Sequence, residues 1–401
     1  MTKHVVAADP PVNQSQPTLE EQVEFHEARV KRDPKGAIGW AMLAEAHLAV
    51  ARAHDDDTAA AEAEKAAKQS LKVREIGNHR AATRLTEAYL AQHKFIDAEG
   101  SARLAYRLAG ESASSTRMLA DVLLELGKYE EFKSLTLKKE DLALTPDGAA
   151  TLARWNEVVG HPETSISLLQ SALKMVEDSG SANASVAAWY RNQLAFAFLR
   201  NGEREQARHQ FATVLESEVN NHRALYGLAK LAYEDREFSK AIELCDKALA
   251  EARLTDTLGL KALCLKESGD KPGYEKILAK LHELNGSPVD QHGKAEEGRH
   301  THSRLYAAFL VQAGEKLRLA HHMAEEDLEW RKDIHAYDAF AWATYQYWKH
   351  DPRGKREEGN FLLQESLSAI RKATALGTKD LEIKAHEAEI LKDAKAEGLL
   401  K

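Results

Sequence analysis

The segments Leu194-Ala-Phe-Ala-Phe and Leu228-Ala-Lys-Leu-Ala-Tyr repeat one pattern at an interval of 34 residues. Small residues recur at the second place of this pattern, with successive intervals of 42, 34, 33, 42, 34, 33, 45 and 34. A period near 34 is typical of stacked helix–turn–helix units. A small side chain fits this place because the two helices of such a unit cross closely there. The nine small residues are Ala44, Thr86, Ala120, Ala153, Ala195, Ala229, Ala262, Ala307 and Ala341.

The residues that follow each small position complete the unit. The second helix has small or apolar residues at i, i+4 and i+7, as in Ala241, Cys245 and Ala248, and this spacing makes one apolar face. None of the prolines interrupts a helix in this register and no segment shows period-two alternation, so the sequence predicts an all-α fold. Glycine, which ends helices by entering the left-handed region without a Cβ clash, often stands seven residues after the small position: Gly127, Gly160, Gly202, Gly269 and Gly314.

Together with Trp40-Ala-Met-Leu-Ala and Phe238-Ser-Lys-Ala-Ile, these segments resemble the helix motifs of the tetratricopeptide repeat (TPR) family. The resemblance covers roughly residues 37–398. It implies a right-handed α-solenoid of about nine tetratricopeptide-like helix pairs with capping helices. The segment Asp333-Ile-His-Ala-Tyr-Asp-Ala-Phe-Ala-Trp-Ala, followed by Ala375-Leu-Gly-Thr, is similar to a C-terminal pattern of bacterial members.

The chain is predicted to have four parts. Residues 1–18 are expected to form a disordered tail, and residues 19–284 an N-terminal array of one capping helix and about seven repeats. Residues 285–300 form a polar, glycine-bearing insert, which we expect to be the most mobile internal segment. Residues 301–401 are expected to form a C-terminal pair of repeats and a charged capping helix from about Asp380.

Composition excludes several classes of function. A net charge of −8 with only short basic clusters argues against nucleic-acid binding. There is no run of about 18 apolar residues, so no membrane insertion is predicted. The sequence has no glycine-rich phosphate loop, nucleophile elbow or His-Glu-x-x-His motif, so we expect neither catalysis nor a cofactor.

The N-terminal sequence bears on the compartment. Residues 1–20 are polar and lack the apolar stretch of a signal peptide, which favours a cytoplasmic protein. A periplasmic or exported protein whose leader has been removed is the alternative.

Cysteine and histidine are the residues with coordination or redox chemistry. Cys245 and Cys264 fall on helices that are predicted to pack together; two buried thiols are the expected state and a disulfide is the alternative. Histidine occurs 18 times and is densest toward the C-terminus. Nearby histidines can bind Zn²⁺, but no paired i, i+4 histidines are present, so we expect surface histidines rather than a metal site. The weak metal candidates are His300, His302, His321 and His322.

Repeat solenoids bind partners on their concave face. The resemblance implies that the fifth, ninth and twelfth residues of each first helix line this face and that the second residue contributes at its edge, as Trp189 and Arg223 do. Aromatic side chains beside arginine, asparagine and lysine supply apolar anchors and hydrogen-bond donors for a peptide. The alternative for each aromatic residue is simple packing between neighbouring first helices. The predicted groove residues are Arg117, Asp121, Arg154, Trp189, Asn192, Phe196, Arg223, Tyr226, Lys230, Tyr233, Asp338, Trp342 and Tyr345.

The sequence therefore predicts a non-enzymatic adaptor or scaffold that binds a peptide segment or another protein in this groove. One alternative is a structural scaffold that self-associates into a homo-oligomer. The other is a protein that binds a metal or a small ligand through its histidine-rich C-terminal region.

Overall fold

The computed structural model describes residues 17–54, 56–136, 139–179, 184–251, 254–285, 303–352, 354 and 359–400. Within these ranges the chain forms twenty α-helices and one 3₁₀-helix (Glu140–Leu144), without a strand. The α-helices are α1 (Leu19–Arg32), α2 (Ala37–His54), α3 (Asp57–Val73), α4 (His79–Ala91), α5 (Phe95–Leu108), α6 (Ala113–Glu125), α7 (Tyr129–Thr136), α8 (Pro146–Val158), α9 (Pro162–Asp178), α10 (Ala184–Arg200), α11 (Arg204–Ser217), α12 (His222–Glu234), α13 (Phe238–Glu251), α14 (Thr255–Glu267), α15 (Lys271–Asn285), α16 (Ser303–Ala313), α17 (Leu317–Trp330), α18 (Ile334–His350), α19 (Phe361–Thr374) and α20 (Leu381–Ala396).

The helices follow the repeat that the sequence predicts. Repeat one is α2 with α3, each later repeat is the next pair, and repeat nine is α18 with α19, so α1 and α20 flank the array. All nine small residues that define the period are at most 2% exposed. Because each stands where the helices of one repeat cross, this burial confirms the all-α fold of about nine helix pairs with a capping helix at each end.

Local sequence explains where individual helices begin. Thr18 caps α1 with a full capping box, since its hydroxyl accepts from the Glu21 amide and the Glu21 carboxylate accepts from the Thr18 amide. Asp56 caps α3 and Asp380 caps α20 in the same way, through side-chain oxygens that accept backbone N–H bonds. The predicted capping helices at both ends of the array therefore have explicit start signals.

The loops before α18 and α20 contact the middle of the array, and we call this set of contacts the seam. The Lys332 amide, in the loop before α18, donates a hydrogen bond to the Leu126 carbonyl at 3.2 Å. Beside it the Ile334 amide donates to the Tyr129 hydroxyl at 2.9 Å, across 205 positions of sequence. These bonds join the loop between repeats eight and nine to the turn inside repeat three.

The seam continues along repeats four to six. The Thr378 hydroxyl, in the loop before α20, donates to the Glu157 carbonyl at 3.2 Å. Further along, the Lys230 ammonium lies 3.9 Å from the Glu382 carboxylate. The C-terminal end of the chain is thus held against the middle of the array by backbone and side-chain contacts in succession.

Two other expectations concern the core and the insert. Cys245 and Cys264 are both buried and both free, so the two thiols form no disulfide. Asn285 ends α15, whereas residues 286–300 of the predicted insert lie outside the described residues, as do residues 1–16 of the predicted tail. One apolar cluster contains both Leu281 of α15 and Tyr306 of α16, so the core continues on both sides of that gap.

Candidate partner-binding cavity

A cavity of about 1260 Å³ lies against the first helices of repeats three to five and the loop that leads into repeat six. The ends of α1 and α2 complete its wall. Of the thirteen residues predicted to line a groove, the cavity brings together six. They are Arg117, Asp121, Arg154, Trp189, Asn192 and Arg223.

Three of the six are joined in ion pairs within the wall. An Arg117 Nη atom lies 2.6 Å from the Asp121 carboxylate, whose second oxygen accepts from the Thr151 hydroxyl at 2.7 Å. An Arg154 Nη atom lies 2.5 Å from Glu125 Oε1. Because Asp121 and Glu125 belong to repeat three and their partners Thr151 and Arg154 to repeat four, these contacts bind adjacent first helices together.

Two further polar contacts join repeats four and five. The Tyr190 hydroxyl donates to the Asp147 carboxylate at 2.5 Å, and burial, followed by this hydrogen bond, raises the pKa of Tyr190. An Arg200 Nη atom contacts both Glu157 oxygens, at 2.8 and 2.9 Å. Most charges of the wall therefore already have partners within the protein, and a ligand has to compete with them.

Asn192 is different, because part of its side chain has no partner. It is 1% exposed, and its Nδ2 donates to Asn221 Oδ1 at 3.1 Å. The orientation of Asn221 is fixed in turn, since its Oδ1 accepts from the Ala224 amide and its Nδ2 donates to Glu218. Asn192 Oδ1 consequently remains an acceptor without a donor among the described residues, which costs free energy in a buried amide.

The cavity also has an apolar part and an unpaired cation. Trp189, Val186 and Val219 are exposed large hydrophobic residues, and all three line it. Arg223 is exposed and has no carboxylate within ion-pair distance in the described ranges. An apolar anchor, a buried acceptor and an available guanidinium therefore share one cavity.

The other four groove residues of repeats five and six lie outside this cavity. The Phe196 ring packs on Phe211 of the same repeat at 5.0 Å between centroids and lies 6.4 Å from Tyr226. Tyr233 contacts the Phe238 ring at 5.9 Å, and Lys230 belongs to the seam. The structure thus places these aromatic rings within and between repeats, where they support the helices that form the cavity.

The three groove residues of repeat nine contact the final helix. His386 of α20 stacks on the Trp342 ring at 4.0 Å between centroids, and its Nδ1 lies 2.9 Å from the Asp338 carboxylate. The Tyr345 hydroxyl donates to Asp393, also on α20, at 2.8 Å. At this end of the array α20 takes the place that a further first helix would have.

The structure describes two of the four histidine candidates, His321 and His322, which are neighbours on α17 and differ in their surroundings. Thr344 holds His321 Nδ1 at 2.9 Å, and burial lowers the pKa of His321 to about 4, so this imidazole is neutral at pH 7. Ligand atoms of His321, His322 and Glu325 lie within 4.8 Å of one another, but His322 and Glu325 are exposed. His300 and His302 lie outside the described residues.

Comparison with known proteins places part of the chain in a family. Residues 192–254, which include α11, α12 and Asn192, match the tetratricopeptide repeat family. This part of the chain carries a tetratricopeptide repeat. Similar solved structures include that of yeast Tom70, at 11% identity and a TM-score of 0.36 over 94% of this chain and 85% of that one. Another is YrrB, described as a TPR protein with an unusual peptide-binding site, at 18% identity and a TM-score of 0.25 over 57% of this chain and 92% of that one.

No curated protein matches the chain. Within the described ranges, no helix combines the length and the apolar character that a membrane crossing requires. The tetratricopeptide repeat that residues 192–254 match is typical of proteins that bind other proteins.

The tetratricopeptide register missed several residues of the cavity. Glu125 and Arg200 each stand five residues after the small position of their repeat, one place beyond the twelfth residue of the unit. Val219 lies in the loop between α11 and α12, and a register of helix positions makes no prediction for loop residues. A sequence signal existed for Glu125 and Arg200, since each has a residue of opposite charge on the adjacent first helix, Arg154 for Glu125 and Glu157 for Arg200.

Proposed function

We propose that this protein is a non-catalytic adaptor that holds a segment of a partner protein in the cavity of repeats three to six. Asn192 is the observation that carries the proposal. A buried amide oxygen without a donor gains a hydrogen bond when a ligand supplies an N–H group, and an extended polypeptide has such groups along its backbone. Trp189 then supplies the apolar contact that commonly dominates peptide binding.

The charges of the cavity define the segment further. Arg223 has no acidic partner in the described ranges, whereas Arg117, Arg154 and Arg200 are paired, so an arriving carboxylate meets Arg223 at the smallest cost. We therefore infer that the partner segment carries an acidic side chain next to an apolar one. Nucleic acid is disfavoured because most cations of this wall are neutralised by carboxylates of the protein itself.

Binding selection from a random peptide library tests the proposal, and Trp189→Ala is the central variant. Peptides selected on the wild-type protein should bind Trp189→Ala roughly 10- to 100-fold more weakly, as expected for a hot-spot aromatic residue. Trp330→Ala is the matched control, since Trp330 is 47% exposed and Trp189 43% exposed, and Trp330 does not line the cavity. Its affinity should equal that of the wild type.

Thermal unfolding of both variants accompanies the binding measurement, because a loss of binding that follows unfolding carries no information about the cavity. Asn192→Ala should weaken the same peptides and Arg223→Gln should weaken the acidic ones selectively. Selected peptides that bind Trp189→Ala at full strength, or that lose as much affinity to Trp330→Ala, contradict the assignment of the cavity as the binding site.

A further inference from the structure

The cavity and the seam share a carboxylate, that of Glu125. Its Oε1 lies 2.5 Å from an Arg154 Nη atom in the cavity wall. Its Oε2 lies 3.8 Å from an Arg331 Nη atom, immediately before the seam residue Lys332. The two oxygens of this carboxylate thus interact with different regions, one with the cavity wall and the other with the seam.

Arg331 is firmly placed at the seam. It is 4% exposed, its guanidinium contacts both oxygens of Asp327 at 2.8 and 3.0 Å, and it lies over the Phe95 ring at 4.7 Å. The neighbouring Lys332 and Ile334 amides make the hydrogen bonds of the seam. A change in the ion pairs of Arg331 therefore affects the loop whose amides make these hydrogen bonds.

Glu125 is charged in this setting. Burial by itself favours its neutral form, but Arg154, Arg304 and Arg331 outweigh that effect and hold the pKa of Glu125 below its usual range. The carboxylate interacts with Arg154 at the closer distance and with Arg331 at the longer one. Removal of Arg154 leaves the carboxylate to Arg331 and Arg304, because a partly buried charge gains from the nearest counter-charge. Arg304 itself lies 3.8 Å from Asp333, between the seam residues Lys332 and Ile334.

We propose that occupation of the cavity tightens the seam: a second acidic side chain of the bound segment, beyond the one that pairs with Arg223, pairs with Arg154 and releases Glu125 to Arg331, which strengthens the closure of the solenoid around the segment. This inference rests on the proposed function for the identity of the ligand. It adds a regulation of the same site, in which binding and closure are linked through one carboxylate.

Hydrogen exchange of the Lys332 and Ile334 amides reports the state of the seam without any partner. In the Arg154→Met variant Glu125 loses its cavity partner, so both amides should exchange about two- to fivefold more slowly, the scale expected for a partly exposed ion pair. The Gly269 amide, which bonds to Lys266 within its own turn, is the internal reference and should be unchanged.

Two variants isolate the shared carboxylate. Arg223→Met removes the same charge from the same cavity but breaks no ion pair, so the exchange of Lys332 and Ile334 should stay at the wild-type rate. In a Glu125→Gln background the seam should be looser than in the wild type, and adding Arg154→Met should produce no further slowing.

Equal exchange in Arg154→Met and Arg223→Met, or faster exchange in Arg154→Met, overturns the linkage. Unprotected Lys332 and Ile334 amides in the wild type overturn the seam itself. Circular dichroism confirms that each variant is folded before exchange is read. The proposed function fails separately, through the peptide-binding measurement on Trp189→Ala, since the exchange experiment contains no ligand.

Discussion

Two sets of turns in this solenoid share a backbone conformation but differ in their surroundings. Gly127 and Gly160, in repeats three and four, have φ of +68° and +77°, and a Cβ there would lie 2.1 Å from the Lys332 carbonyl oxygen and 1.9 Å from that of Gly377. Gly269 and Gly314, in repeats seven and eight, have φ of +81° and +66°, and nothing lies within 4 Å of the same position. The same residue type therefore serves a tertiary contact in one region and a local turn in the other.

The equivalent turns of repeats two and six support this distinction. They contain His93 at φ 55° and Arg236 at φ 61°, so the turn itself accepts a side chain in the left-handed region. Glycine is required at Gly127 and Gly160 because the loops of the seam approach the backbone closely there. The left-handed turn is thus a requirement of each repeat, whereas the lack of a side chain at Gly127 and Gly160 is a requirement of the seam.

The largest effect should come from an alanine at the seam. Gly160→Ala combines the left-handed strain of a Cβ with a clash against the Gly377 backbone and should reduce the free energy of unfolding by roughly 2–4 kcal/mol. Gly269→Ala adds strain alone and should cost about 1–2 kcal/mol. Urea unfolding of the two variants measures the difference, and equal losses would show that the seam adds no stability.

The repeat could be predicted from the sequence because it rests on local periodicity. The small residue at each crossing, the glycine seven positions later and the start of the final helix near Asp380 each depend on a few neighbouring residues, and the structure has them where the sequence predicts them. The period also predicted that Ala195 and Ala229 are buried at crossings. These features depend on backbone sterics and hydrogen bonds that neighbouring residues determine.

The candidate site was only partly predictable, because it depends on contacts between distant segments. The register identified Arg154 and Asn192 but gave no indication that Glu125 is shared with Arg331, 206 positions away. It likewise gave no sign that α20 covers Trp342. Such contacts follow from the curvature of the complete array, which accumulates from small rotations per repeat and leaves no mark on any single repeat.

A second, smaller effect tests whether the two regions differ only at their turns. Ala195→Leu in repeat five and Ala262→Leu in repeat seven both insert a large side chain at a fully buried crossing. Overpacking should cost roughly 1–3 kcal/mol in each, with equal losses within error, because both crossings lie within one repeat. Thermal unfolding checks this. A markedly larger loss for Ala195→Leu would mean that the seam stiffens the crossings of the repeats it touches.

The smallest effect should come from the outermost contact of the seam. The Lys230 ammonium and the Glu382 carboxylate lie 3.9 Å apart, and their side chains are 41% and 58% exposed, so water and salt screen the pair. A double-mutant cycle with Lys230→Met and Glu382→Gln should give a coupling free energy below about 1 kcal/mol that vanishes at high salt. Lys247 and Glu243, 2.8 Å apart on α13, form a matched pair away from the seam and should give a similar small value. A coupling that is large or that persists in salt would place Lys230 among the contacts that determine closure, and the seam would then extend with full strength into repeat six instead of weakening beyond the backbone contacts at Gly127 and Gly160.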